Sequence, residues 1–286
     1  MEKYNEPASR ESLFVDVEKM MGPKLRKKLP RFAINFLKRR LHQDQVNEAI
    51  MGANPYHGAG FFDEALKYLN ITYRTRGEEK LDKEKKYIFV CNHPLGGPEA
   101  LIIGSVFHRL YGEGFQVPVT PIMAHLKPLA EFFPPVNNLS SKQSRDLGER
   151  IAKMFNSDQQ VVVFPAGLCA RKIKGKITEM PWKKMFVTQA RRYERDVVPV
   201  NMSGHNSKWY FFLSWLSRTL KLKMNLGMLF LVDELFNKAG EEFVISFGKP
   251  IPYTDFDSSK TDLQWADYVK DIVKKLSLDN GCTSNM

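Results

Sequence analysis

One turn of this 286-residue chain can bring together two residues suited to proton chemistry, His93 and Glu99. The run Tyr87-Ile88-Phe89-Val90-Cys91 is apolar, aromatic and too short for a helix, so it predicts a buried strand. Pro94, Gly96 and Gly97 force a tight turn, and Glu99 then opens a helical pattern. A carboxylate on the far side of that turn can orient the imidazole. A histidine held in this way is a general base for a hydroxyl or amine near neutral pH. The same pair also suits a core histidine beside a helix-capping glutamate.

A second segment favours chemistry. Val161-Val162-Val163-Phe164-Pro165-Ala166-Gly167 is another buried-strand run ending in a Pro-containing turn, and the basic cluster Arg171, Lys172, Lys174 and Lys176 follows it. A third strand, Val197-Val198-Pro199-Val200, runs into a polar loop through His205. Strands ending in Gly/Pro turns with polar or basic residues are what the crevice at the carboxyl edge of an open α/β sheet requires.

Taken in order, Asn92-His93 with an acid a few residues on, the Phe164-Pro165-x-Gly167 turn and the Val-Pro-Val strand resemble the glycerolipid acyltransferases of the N-H-x4-D type. The nearer likeness is to their hemolysin-like, aminolipid-acylating branch. Its turn reads N-H-P-x-G-G-x-D, with a basic residue four positions after a Phe-Pro-Ala-Gly glycine. Here those positions are Asn92, His93, Pro94, Gly96, Gly97 and Glu99, then Phe164, Pro165, Ala166, Gly167 and Arg171. The likeness covers roughly residues 29 to 252.

Three departures stand out. Glu99 replaces the usual aspartate and is one methylene longer, so the geometry must adjust. Ala166 stands where a glutamate is common. The block that grips acceptor phosphate in the glycerol-phosphate enzymes has no counterpart arginine, and residues 132–139 carry the amides Asn137 and Asn138 instead. Arginine's planar fork suits phosphate, so its absence turns the expected acceptor from lysophosphatidic acid toward a lyso-aminolipid of the glycine or ornithine type.

The resemblance implies acyl transfer. His93, oriented by Glu99, would take the proton of an acceptor hydroxyl as it attacks the thioester of an acyl carrier protein or coenzyme A. Asn92, Gly96, Gly97, Phe164, Pro165, Ala166, Gly167 and Arg171 would line the substrates. Backbone N–H groups near Gly96-Gly97 or Gly167 are candidate oxyanion donors. Neither cofactor nor metal is called for, and no Gly-x-Ser-x-Gly nucleophile turn is present. A water-using thioesterase and a non-catalytic lipid-surface binding protein are the readings of other classes.

A net charge of +11 implies an acidic partner: nucleic acid, an anionic membrane or acyl carrier protein. No helix-turn-helix, zinc-finger or RNA-recognition signature supports nucleic acid. Eight basic residues and no acid lie between Lys24 and Arg40, beside an apolar stripe at helical spacing. Arg31, Phe32, Phe36, Lys38, Arg39 and Arg40 thus predict an interfacial helix on anionic lipid. An amphipathic helix packed on its own domain gives the same pattern. The aromatic segment Trp209–Leu216 suits an interfacial anchor, an acyl-pocket wall or core. No 18-residue apolar run is present, and the N-terminus has no apolar signal region, so a peripheral position on the cytoplasmic membrane face is expected. Cys91, Cys169 and Cys282 form no C-x-x-C pair, which fits a reducing compartment. Cys169 closely follows the second turn and is a candidate to line the site, though nothing local offers a base to activate it.

The elements that must position these residues form an α/β fold. A basic amphipathic helical region (1–75) precedes an acyltransferase domain (76–280) with a mostly parallel or mixed central sheet and flanking helices. Strands are expected near 71–73, 87–91, 117–123, 161–165, 197–202 and 243–248, and helices near 32–41, 44–51, 61–69, 99–110, 144–155, 182–193 and 263–276. Residues 1 to about 30 and 280–286 are expected to be loosely ordered.

Overall fold

The computed structural model describes residues 15–52, 58–119, 131–135, 145–220, 227 and 230–278. Strands β1 (Thr72–Arg76), β2 (Tyr87–Cys91), β3 (Phe115–Gln116), β4 (Gln160–Val163), β7 (Asp196–Met202) and β8 (Glu242–Phe247) form one sheet in the order β1-β8-β7-β2-β4-β3. Every neighbouring pair is parallel except β7 with β8, so the sheet is mixed. The short strands β5 (Arg171–Ile173) and β6 (Lys176–Thr178) form a separate antiparallel hairpin.

The central strands are buried because both faces are covered. Side chains alternate along a strand. Phe89 and Cys91 of β2 therefore enter one apolar cluster with Phe62, Ile102 and Phe107, whereas Ile88 and Val90 enter the other with Phe155, Phe186 and Val269. The first cluster is covered by α4 (Gly60–Tyr68) and α5 (Gly97–Tyr111). The second lies under α6 (Arg145–Asn156), α7 (Met185–Tyr193) and α10 (Asp262–Leu278). Strands covered on both sides read as continuous apolar runs, which is why β2, β4 and β7 stand out in the sequence. β2, β4 and β7 run parallel and end together at Cys91, Val163 and Met202, and this carboxyl edge carries the His93 turn and the Phe164 turn.

The N-terminal part holds α1 (Val17–Arg26), α2 (Arg31–Arg40) and α3 (Gln43–Gly52). A helix thus stands at 17–26, in a stretch expected to be loose; its Glu18 pairs with its own Arg26 and ties it to Arg31 and Lys38 of α2. β1, at the junction of the two expected regions, is an edge strand of the sheet. Two further helices, α8 (Lys208–Thr219) and α9 (Leu231–Asn237), flank the carboxyl edge.

The strand expected at 117–123 is displaced. Strand pairing with β4 stops at Gln116, because Pro118 has no N–H to give. Val117 N and Val119 N donate instead to the carbonyls of Phe132 (2.7 Å) and Pro134 (3.1 Å). Residues 120–123, His125, Asn137, Asn138 and the tail from 279 lie outside the described residues. No described helix is long and apolar enough to cross a membrane.

Candidate active site

Residues 92–96 cross the carboxyl edge between β2 and α5, and Asn92 fixes their departure. Its Nδ2 donates to Met202 O (2.9 Å) and its Oδ1 accepts from Met202 N (2.7 Å), which clamps the end of β2 to the end of β7. Gly96 caps α5 with φ +97°, a left-handed value that a side chain resists. A Cβ there would stand 2.9 Å from both Cys169 Sγ and Leu231 Cδ2, and one at Gly97 would lie 2.8 Å from the Leu231 carbonyl oxygen. The two glycines let α9 lie directly against the turn.

Glu99 is the third residue of α5 and is 1% exposed. From there it reaches back across the turn, a helix-start geometry that pairs an orphan backbone N–H with a carboxylate. Its Oε1 accepts from Leu95 N–H, and its Oε2 contacts His93 Nδ1. One carboxylate thereby fixes both the turn and the ring. The extra methylene relative to aspartate is what this reach back uses.

His93 keeps an open edge, with its side chain 18% exposed. Its ring stacks on Phe164 at 4.7 Å between centroids. Its backbone N–H donates to Glu179 Oε1 (3.1 Å), and its carbonyl accepts from Ala170 N (2.8 Å). Its Nε2 lies 3.6 Å from Cys169 Sγ. Burial disfavours the imidazolium, but Cys169 and Glu99 on its two nitrogens outweigh burial and hold His93 above the usual histidine range. Burial also pushes the Glu179 carboxyl up.

The second turn supplies the other wall. Gly167 N–H donates to Phe164 O (2.9 Å) and Lys183 N to Pro165 O (3.0 Å), while Ala166 is buried in the core. Arg171, half-buried, is the first residue of β5 and opposes Thr178 across the hairpin. The structure therefore brings Asn92, His93, Gly96, Gly97, Glu99 and Phe164 to one edge, with Arg171 two residues beyond Cys169. Sequence reasoning placed Cys169 near the site but missed its contact with His93, and it missed Glu179 altogether. Their contacts to His93 span 76 and 86 residues, and no local pattern signals them.

The basic helix α2 is less free than its sequence suggests. Lys38 and Arg31 pair with Glu18, and Arg40 pairs with Asp233 of α9 at 3.4 Å while lying over the Phe230 ring. Of the expected apolar stripe, Phe32 is 75% and Phe36 49% exposed while Ala33 and Leu37 are half-buried, and the buried residue of the helix, Ile34, lies outside the stripe. Among the described residues no three His, Cys, Asp or Glu side chains are placed to hold a metal ion. What the arrangement can do is take a proton at Nε2 and hold the resulting charge against Glu99.

Comparison with known proteins agrees with that chemistry. A family model described as Acyltransferase matches residues 15–281. The chain is 39% identical over 270 residues to the lyso-glycine lipid O-acyltransferase of Bacteroides thetaiotaomicron, spanning 93% of this chain and 99% of that protein. It is 36% identical over 280 residues to the protein of the same name from Phocaeicola vulgatus, spanning 96% and 100%. The crystal structure of the 1-acyl-sn-glycerophosphate (LPA) acyltransferase PlsC from Thermotoga maritima is similar in fold, with a TM-score of 0.51 at 15% identity over 89% of this chain and 91% of that one.

Proposed function

Since the chain belongs to this acyltransferase family, we propose that it moves a fatty acyl group from a thioester donor to the hydroxyl of a lyso-aminolipid of the lyso-glycine type. The acceptor is taken from the two named relatives, which align with nearly the whole chain. The observation that carries the chemistry is the single carboxylate that meets both His93 Nδ1 and Leu95 N–H.

In this reading Glu99 fixes the tautomer with the proton on Nδ1 and leaves Nε2 as base. Nε2 takes the acceptor proton as the hydroxyl oxygen bonds to the thioester carbonyl carbon. The tetrahedral intermediate then expels the carrier thiolate, which receives the proton back from His93. The Cys169 sulfur on Nε2 is a weak partner at 3.6 Å, and an incoming hydroxyl displaces it. Gly167 N–H is already engaged by Phe164 O, so we place the oxyanion donors at the start of α5, where helical N–H groups lack intrahelical partners. Phe32 and Phe36, exposed beside Arg39, support a peripheral seat on an anionic membrane. That seat is on the cytoplasmic face, where donor and lyso-lipid meet.

The test is product formation by purified protein from an acyl-carrier-protein or coenzyme A thioester and lyso-glycine lipid. His93→Ala should lower it by roughly 10²–10⁴-fold. Thioester loss that ignores added lyso-lipid would make the protein a hydrolase, and transfer to lysophosphatidic acid alone would replace the acceptor.

A further inference from the structure

A groove of about 470 Å³ lies between the β5–β6 hairpin and α8. Lys172, Lys174, Lys208 and Arg218 surround it, and Phe211 and Trp215 form its apolar wall. Its size is that of a small-molecule site. Several surface cations elsewhere are matched, as in Arg74–Glu242, Arg109–Glu78 and Arg191–Asp262. None of these four has a carboxylate partner among the described residues. Four uncompensated cations around a concave apolar wall form a trap for an anion that carries an organic chain.

The groove also backs onto the catalytic turn. Phe211 packs with Cys169 and Tyr210 in one small cluster, and Cys169 Sγ lies 3.6 Å from His93 Nε2. Lys172 follows Cys169 by three residues, which is at most about 11 Å of extended backbone. An anion held at Lys172 is therefore one short arm away from the base.

Resting on the acyl-transfer reading above, we propose that this groove binds the phosphate of the donor's phosphopantetheine and lays its amide arm along Phe211, so that the thioester arrives at His93. A phosphate on a pantetheine arm is common to coenzyme A and to the prosthetic group of acyl carrier protein. The cations take the phosphate, and the aromatic wall takes the apolar part of the arm. An anionic lipid surface is the other partner such cations suit, but a flat surface makes no use of a concave wall backed by the active-site cluster.

Steady-state rates in detergent micelles test this, with donor and lyso-lipid varied separately for wild type, K172E/K174E and K208E/R218E. Each double variant should raise the donor KM at least tenfold while moving the lyso-lipid KM less than twofold, and K172R/K174R should restore it. An unchanged thermal midpoint certifies the fold of these surface variants. Competition with the donor by 4′-phosphopantetheine supports the groove. If 3′,5′-ADP competes as well, the source is coenzyme A; if only holo-carrier protein does, it is the carrier. Unchanged donor KM in both charge-reversed variants overturns the proposal, and with lost retention on anionic vesicles it reassigns the groove to lipid. Calorimetric binding of 4′-phosphopantetheine needs no turnover. A wild type that binds it without transferring acyl groups sinks the function and keeps the groove, whereas transfer with unchanged donor KM in both variants does the reverse.

Discussion

Glu99→Gln separates a catalytic carboxylate from a capping one. The amide has the shape of the acid, so its oxygen still accepts from Leu95 N–H. Its NH₂ then faces His93 Nδ1 and donates to it, which drives the ring proton to Nε2. A base whose working nitrogen carries the proton cannot accept one, and the imidazolium has lost its buried counter-charge. A wrong tautomer of this kind costs roughly 10⁴-fold in a serine-protease triad, so a loss of about 10²–10⁴-fold in turnover is expected here, or about 3–5.5 kcal/mol of transition-state stabilisation. The neutral-for-charged swap at this buried helix start costs up to about 2 kcal/mol of stability. The assay is initial-rate acyl transfer across pH, together with urea denaturation. Because His93 must be neutral to act in this mechanism, and Cys169 and Glu99 hold its pKa up, the alkaline-rising limb of the wild type should lie above the ordinary histidine range. That limb moves to lower pH in the variant. A Glu99→Gln enzyme within tenfold of wild-type turnover, with its pH limb unmoved, would reduce Glu99 to a cap and remove the mechanism.

Three other expectations follow from the same geometry. Cys169→Ala should keep the fold and shift the pH limb downward, because the sulfur on Nε2 also holds His93 up; an unmoved limb would show that the contact has no electrostatic effect. The raised pKa of His93 also makes a stability statement: relative to His93→Gln, the extra stability should be fully present below the unfolded value of about 6.5 and should fade as pH rises through the folded value, as read by urea midpoints across pH. Phe32→Glu with Phe36→Glu should weaken flotation with anionic vesicles more than Lys38→Ala does, because Lys38 is already paired with Glu18 while both rings are exposed.

What was legible in the sequence follows from range. β2, β4 and β7 are covered on both faces and wrote themselves as Val/Ile/Phe runs. The His93 turn was legible because six residues contain it. β3 was not, because Pro118 hands the next backbone donors to residues 132–134 rather than to the sheet. The β5–β6 hairpin was not, because three-residue strands leave no alternation to detect and the lysines read only as a basic cluster. The basic helix looked uncompensated because its acids lie outside the window, at Glu18 and Asp233.

The substitution of glutamate for aspartate shows most clearly how sequence and geometry differ as evidence. By sequence alone Glu99 is one methylene longer than the expected acid, and the geometry must adjust to it. In the fold its side chain starts inside α5, at the third residue, and must return past a glycine cap to reach a ring that precedes the helix. An aspartate from the same Cα would have to span Leu95 N–H and His93 Nδ1 with one methylene less. Glycine at 96 and 97 then permits α9 to press on the turn through Leu231, and α9 is itself held by Arg40 and His42 through Asp233 and by Ser207 through Glu234. The His93–Glu99 turn is thus braced from the basic N-terminal helices on one side and from α8 on the other. These two flanks carry the exposed phenylalanines and the cationic groove. On the function proposed above, the lipid acceptor would come from the flank of the phenylalanines and the anionic donor from that of the groove.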